Sequence, residues 1–158
     1  MTIATATHFA PRRSEHLSIS VEGLSYVPRL PPTSYAMLLH MLTLQEQGGL
    51  VRATHDELAT GLALNRGVIS RAMPYLVAAR LVYIVGRGKF QIHPMLAAYP
   101  TAQDRHEALN ALAPEDRLNV GHFEEEYERR LALHQENKAR RKAEQPRKVT
   151  RGHLRSVH

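Results

Sequence analysis

The chain has no cysteine among its 158 residues, which excludes a disulfide framework and a cysteine-ligated zinc site and fits a reducing cytoplasm. It also lacks a long hydrophobic run. The most apolar stretch, Tyr35 to Leu44, is interrupted by His40 and Thr43 and is too short to cross a bilayer. With no secretory or membrane-spanning segment in view, the expected setting is cytoplasmic and not a membrane. Catalytic signatures are missing too. The ten histidines form no His-Glu-x-x-His pattern, no His-hydrophobic-His pair of the kind used by rolling-circle nickases, and no defensible Ser-His-Asp grouping. Gly86-Arg87-Gly88-Lys89 lacks the Walker spacing, the Ser or Thr after lysine and the following helix of a phosphate loop. His40 has no second ligand at metal-binding spacing and reads as an edge histidine. The expectation is a protein with no catalytic residues, no metal and no cofactor.

What is present suits one hydrophobic core, since 158 residues at 43% apolar content can fill one core but hardly two. The chain is organised around Thr54 to Arg71. Thr54 and Glu57 stand at capping-box spacing, Leu58, Ala59 and Leu62 form a short apolar face, and Ala63 fits a tight turn. Asn65 is a good N-cap for a second helix starting at Arg66. In that helix Ile69, Ala72, Met73 and Leu76 recur at helical spacing, turning Arg66, Gly67, Val68, Ser70 and Arg71 outward. A short, basic, polar face of this kind fits the DNA major groove, with the preceding helix lying across the backbone. An ordinary helical hairpin with a solvated face is the alternative. Pro74 predicts either a kink or tolerance in an end turn.

Two β-rich runs follow, Leu81 to Val85 and Lys89 to His93, joined by Gly86-Arg87-Gly88, which predicts a hairpin. Leu50-Val51 is placed to be a third strand. Helix, strand, helix, turn, helix and hairpin in that order make a winged helix-turn-helix: mainly α with a small antiparallel β wing, plus C-terminal helices and a disordered basic tail.

The run Leu62-Ala63-Leu64-Asn65-Arg66-Gly67-Val68-Ile69-Ser70-Arg71-Ala72-Met73 resembles the recognition region of the bacterial winged-helix superfamily. Within it, Leu24 to Pro100 resembles the RepL-type plasmid replication proteins, chiefly through Gly88-Lys89-Phe90-Gln91-Ile92-His93-Pro94. Those proteins tend to carry Gly-x-aromatic-x-Ile-Asn-Pro there, and this chain has His93 in place of the asparagine. The resemblance implies duplex DNA binding, and more narrowly plasmid replication initiation or copy control. Transcription regulators use the same scaffold and supply the second reading. A winged-helix module docking protein partners is the third.

Residues 1–13 have no periodic pattern and read as a disordered N-terminus. Residues 14–100 read as the DNA-binding domain with an N-terminal arm, in which Leu17 to Val21 alternates and Leu24 to Val27 follows Gly23, predicting a small hairpin or extended arm. Pro31-Pro32 precedes a central core helix from Tyr35, closed by Gly48-Gly49. Residues 101–143 read as a helical extension. One helix starts near Thr101, and a longer one starts at Pro114-Glu115-Asp116 and reaches about Ala143. Val120, Phe123, Tyr127, Leu131 and His134 form a narrow stripe on it, for which homodimerisation is the favoured use and packing on the chain's own core the alternative. Residues 144–158 read as a basic disordered tail.

The net charge of +6 is unevenly held. Asn137 to His158 carries eight cations, Lys138, Arg140, Arg141, Lys142, Arg147, Lys148, Arg151 and Arg155, against Glu144 alone. Arg52 to Lys89 holds six basic and two acidic residues, and Thr101 to Glu136 holds four basic and nine acidic. Cations therefore gather where phosphates would lie and at the tail, where they would add nonspecific affinity by counterion release. The expected contacts to double-stranded DNA are Thr54, Asn65, Arg66, Gly67, Val68, Ser70, Arg71 and Tyr75, with Arg87 and Lys89 from the wing and the eight tail cations. Replication or transcription machinery is a possible further partner.

Overall fold

The computed structural model describes residues 19–118 and 122–145, which are mainly helical with one small antiparallel sheet. The expected N-terminal disorder, Val120 of the stripe, and Arg147, Lys148, Arg151 and Arg155 lie outside the described residues.

The described part of the N-terminal arm, from Ile19, contains no hairpin. Val21–Leu24 forms a single helical turn (α1), with Gly23 buried against the backbone of Met95, so close that a Cβ on Gly23 would collide with the Met95 carbonyl. Leu17 and Ser18 of the alternating run lie outside the described residues; the rest joins no strand, and packing against a segment some seventy residues away decides the local conformation instead.

Helix α2, Pro32–Leu44, starts with proline where its missing amide is harmless and buries Met37, Leu38, Met41 and Leu42 at the centre of the core. Ser34, fully buried on this helix, donates its hydroxyl to the Ala72 carbonyl at 3.1 Å. After α2 the buried Gln45 accepts the Ala98 amide at 2.7 Å, and a 3-10 turn, Gln47–Gly49, leads into strand β1, Leu50–Arg52. Gly48 and Gly49 hold φ of 79° and 89°, left-handed values that suit glycine.

Helices α3 (His55–Gly61) and α4 (Arg66–Ala78) follow, then strands β2 (Val82–Gly86) and β3 (Lys89–Ile92). The expected third strand is present. The sheet order is β1-β3-β2, both pairings antiparallel, with Val51 opposite Phe90 and Ile84 opposite Phe90 on the other side. Helix α4 runs through Pro74 to Ala78, and the core gathers Leu58, Ile69, Met73, Leu76, Val82, Phe90 and Ile92 around α2.

The C-terminal part differs from expectation. Thr101 does cap a helix, α5 (Ala102–Ala111), accepting the Asp104 amide at 3.1 Å. Pro114–Asp116, however, is a 3-10 turn, and the long helix, α6, starts only at Phe123 and ends at Glu144. The turn is held from outside: Arg80 donates to the Glu115 carbonyl at 2.8 Å and the fully buried His93 ring reaches the Asp116 carbonyl at 2.7 Å. Both carbonyls are thus occupied, one by a half-exposed arginine and one by a buried histidine. Helix α6 lays Tyr127, with Phe123 and Leu131, on the core beside α4, and Arg130 donates to the Ala78 carbonyl at 3.4 Å. The stripe expected to join two protomers is therefore an intramolecular seam over Phe123, Tyr127 and Leu131, while His134 is exposed. Among the described residues no helix is long and apolar enough to cross a membrane.

Candidate nucleic-acid interface

The turn between α3 and α4 aims the outer face of α4. Thr54 caps α3: its hydroxyl accepts the Glu57 amide at 3.2 Å while the Glu57 carboxylate accepts the Thr54 amide at 2.7 Å. Bonds from the Thr54 amide and hydroxyl hold the Glu57 carboxyl below its ordinary pKa. The turn itself passes through Ala63 at φ 53°, a left-handed position taken here by a residue with a Cβ. Asn65 then caps α4, its side-chain oxygen accepting the Val68 amide at 3.0 Å.

Arg66, Gly67, Ser70 and Arg71 are exposed on α4, Val68 is half-buried, and the buried stripe Ile69, Ala72, Met73 and Leu76 fixes that orientation from behind. The Arg71 guanidinium lies over Gly67, where a Cβ would stand 3.5 Å from it. Arg66 reaches Asp56 of α3 at 3.4 Å, but both side chains are about two-thirds exposed, so solvent screening leaves this pair weak and the arginine easily released.

The β2–β3 hairpin comes to the same place. Its two-residue turn is Arg87-Gly88, with Gly88 at φ 65°, and the Gly88 carbonyl accepts the Ala53 amide at 3.1 Å, docking the hairpin tip beside the start of α3. Arg87 and Lys89 are exposed there. Between hairpin and helices lies an open groove of about 340 Å³, with Thr54, His55, Asp56 and Arg66 on one wall and Ile84, Arg87 and Phe90 on the other.

One of the expected groups stands elsewhere. Tyr75 is half-buried against the core on the α6 side of α4, not on the outer face. Lys138, Arg140, Arg141 and Lys142 occupy the exposed last turns of α6, where Arg140 meets Glu144 at 3.8 Å.

The chain matches no family model, no curated protein and no solved structure. The site therefore has to be read from its own groups.

Sequence reasoning passed over four of them. His55 stacks on Phe90 with ring centroids 6.0 Å apart and places Nδ1 3.1 Å from Ser70 Oγ, so one ring links α3, α4 and the hairpin. Asp56 holds Arg66 across a separation of ten residues that no helical spacing rule covers. Ile84 and Val85 are both exposed, at 60% and 56%, because a register irregularity between Ile84 and Gly86 leaves Val85 without a partner and breaks the alternation. Only the bulge has a local sequence signal, two apolar residues before Gly86. Among the described residues no three metal-ligating side chains cluster.

Proposed function

We propose that this protein is a winged-helix protein that binds double-stranded DNA sequence-specifically, acting in plasmid replication initiation or its control. The observation that carries the reading is that α4 exposes Arg66, Ser70 and Arg71 while Arg66 shares one groove with Arg87 of the adjoining hairpin, on which Lys89 is also exposed. A helix presenting arginines and a hydroxyl can read base edges in the major groove. A basic hairpin tip beside it is suited to the phosphate backbone or the minor groove, where contacts position the protein and set its salt dependence. The cations of the last turns of α6 lie on a helix anchored at its other end, and they serve as a secondary electrostatic contact. The narrower role in replication rests on the resemblance of Gly88 to Pro94 alone. A homodimer on paired half-sites would need a surface other than the Phe123–Leu131 seam.

Recovery of the genomic or plasmid fragments bound by the protein tests both levels. Repeats within an origin support replication, and an operator overlapping a promoter moves the protein to transcriptional regulation. On the recovered site, Arg71→Ala and Arg66→Ala should each weaken binding by about 1 to 3 kcal/mol if the arginine makes a bidentate guanine contact. Unchanged affinity in both folded variants would overturn the orientation, and failure of any duplex to compete would favour a protein-docking module.

A further inference from the structure

We infer that His55 is a positioning residue that sets the hydrogen-bond polarity of Ser70, so that Ser70 selects a base carrying an exocyclic amino group. The inference rests on the duplex-DNA reading above and deepens it.

The His55 ring is half-buried, held flat on the buried Phe90 at an interplanar angle of 12°, and carried by the first residue of α3, whose start is fixed by the Thr54–Glu57 capping box. Its Nδ1 is 3.1 Å from Ser70 Oγ. A serine hydroxyl has one proton and two lone pairs, and a neutral imidazole has one donor nitrogen and one acceptor nitrogen. The 3.1 Å contact fits either tautomer, each leaving one proton, on Ser70 or on Nε2, to solvent or a ligand; the tautomer proposed is the one in which Nδ1 accepts. With Nδ1 as acceptor, Ser70 donates to the ring, and its oxygen keeps lone pairs with which to accept, on a helix that also exposes Arg66 and Arg71. The ring proton then sits on Nε2.

Such a serine can accept a hydrogen bond but has no proton left to give. In the major groove the donors are the N4 amino group of cytosine and the N6 amino group of adenine, whereas guanine and the thymine oxygen offer acceptors. Serine alone is an ambiguous reader, able to meet either kind of edge. The histidine removes the ambiguity, while the neighbouring arginines, donors only, are matched to guanine.

The test uses the duplex most enriched from a random-sequence double-stranded library by the full-length protein. At each position in turn, adenine is replaced by purine and cytosine by its analogue lacking the 4-amino group, and affinities are compared. The native protein should lose roughly 2- to 10-fold at one position, the worth of a single hydrogen bond. Ser70→Ala and His55→Phe should both become indifferent to that one replacement, and the double variant should behave like either single one. His55→Asn, whose side-chain oxygen replaces the Nδ1 acceptor, should restore the preference. A histidine that merely supported the fold would weaken binding at all positions alike, which overturns the inference. So does a loss on removing an acceptor, such as guanine N7, where the amino replacements have no effect. If no duplex is enriched at all, the DNA reading itself fails and takes this inference with it; enrichment without the amino dependence overturns the inference alone.

Discussion

Gly48 and Gly49 are neighbours with nearly the same left-handed φ, 79° and 89°, yet their surroundings are opposite, and substitution by alanine should separate two costs that usually come together. A Cβ on Gly48 would meet nothing within 4 Å. On Gly49 it would stand 2.6 Å from Ala97 Cβ and 3.0 Å from the carbonyl oxygen of Ile92, the last residue of β3, and both residues are fully buried. Gly48→Ala should therefore cost only the left-handed penalty of about 1 to 2 kcal/mol. Gly49→Ala pays the same penalty and must also displace a packed backbone, for which overpacking costs of about 1 to 3 kcal/mol apply, giving about 2 to 5 kcal/mol in all. In a chain of this size 1 kcal/mol moves the melting temperature by roughly 2 to 4 °C, so the two variants should melt several degrees apart. Urea unfolding followed by far-ultraviolet circular dichroism gives the free energies directly. Equal losses for the two variants would refute the argument, since the contact of Gly49 with Ala97 and Ile92 would then carry no weight.

Three further outcomes follow from other positions. Ala63→Gly should stabilise the protein by about 0.5 to 1 kcal/mol, because the turn residue sits at φ 53° and glycine escapes the Cβ penalty at some entropic cost; unfolding midpoints would show a decrease if the turn differs. Burial lowers the pKa of His93, whose Nδ1 accepts the Met95 amide at 3.1 Å, so the unfolded chain takes up this proton more readily than the folded one. The resulting stability is complete above about pH 6.5 and is lost as pH falls towards the depressed folded value, and His93→Gln should flatten that part of the stability–pH curve. An unchanged slope would mean that His93 does not resist protonation. Tyr127→Ala should destabilise the chain by about 3 kcal/mol by opening the seam between α6 and the core; an equally stable protein that dissociates in sedimentation would instead make the seam an interface between chains.

Much of the candidate interface was readable in the sequence because its determinants are local. The capping box spans Thr54 to Glu57, the N-cap bond spans Asn65 to Val68, and the outward face of α4 follows from a stripe that repeats every three or four residues. The hairpin was legible for the same reason. What escaped was set by distant contacts. Gly23 is fixed by Met95, the Pro114–Asp116 turn by Arg80 and His93, and the Ser70 hydroxyl by a histidine fifteen residues earlier. Tyr75 shows the limit of a periodic argument: it borders the buried stripe, and whether it faces the groove or the core depends on α6, whose start was displaced from Pro114 to Phe123.

The strand order β1-β3-β2 also bears on how the chain emerges during synthesis. Strands β1 and β2 never touch one another; each pairs only with β3, the last of the three to be made. Until Lys89 to Ile92 has left the ribosome, Val51 and Val82, both fully buried at the end, have no ladder to join, and the partly made chain carries apolar strands with free edges. Once β3 is available, β2 needs only the two-residue turn to close, whereas β1 must be recruited across some forty residues containing both α3 and α4. The completed sheet thus locks the two helices inside a closed loop of chain, and the geometry of the helix pair becomes final only when its last strand arrives.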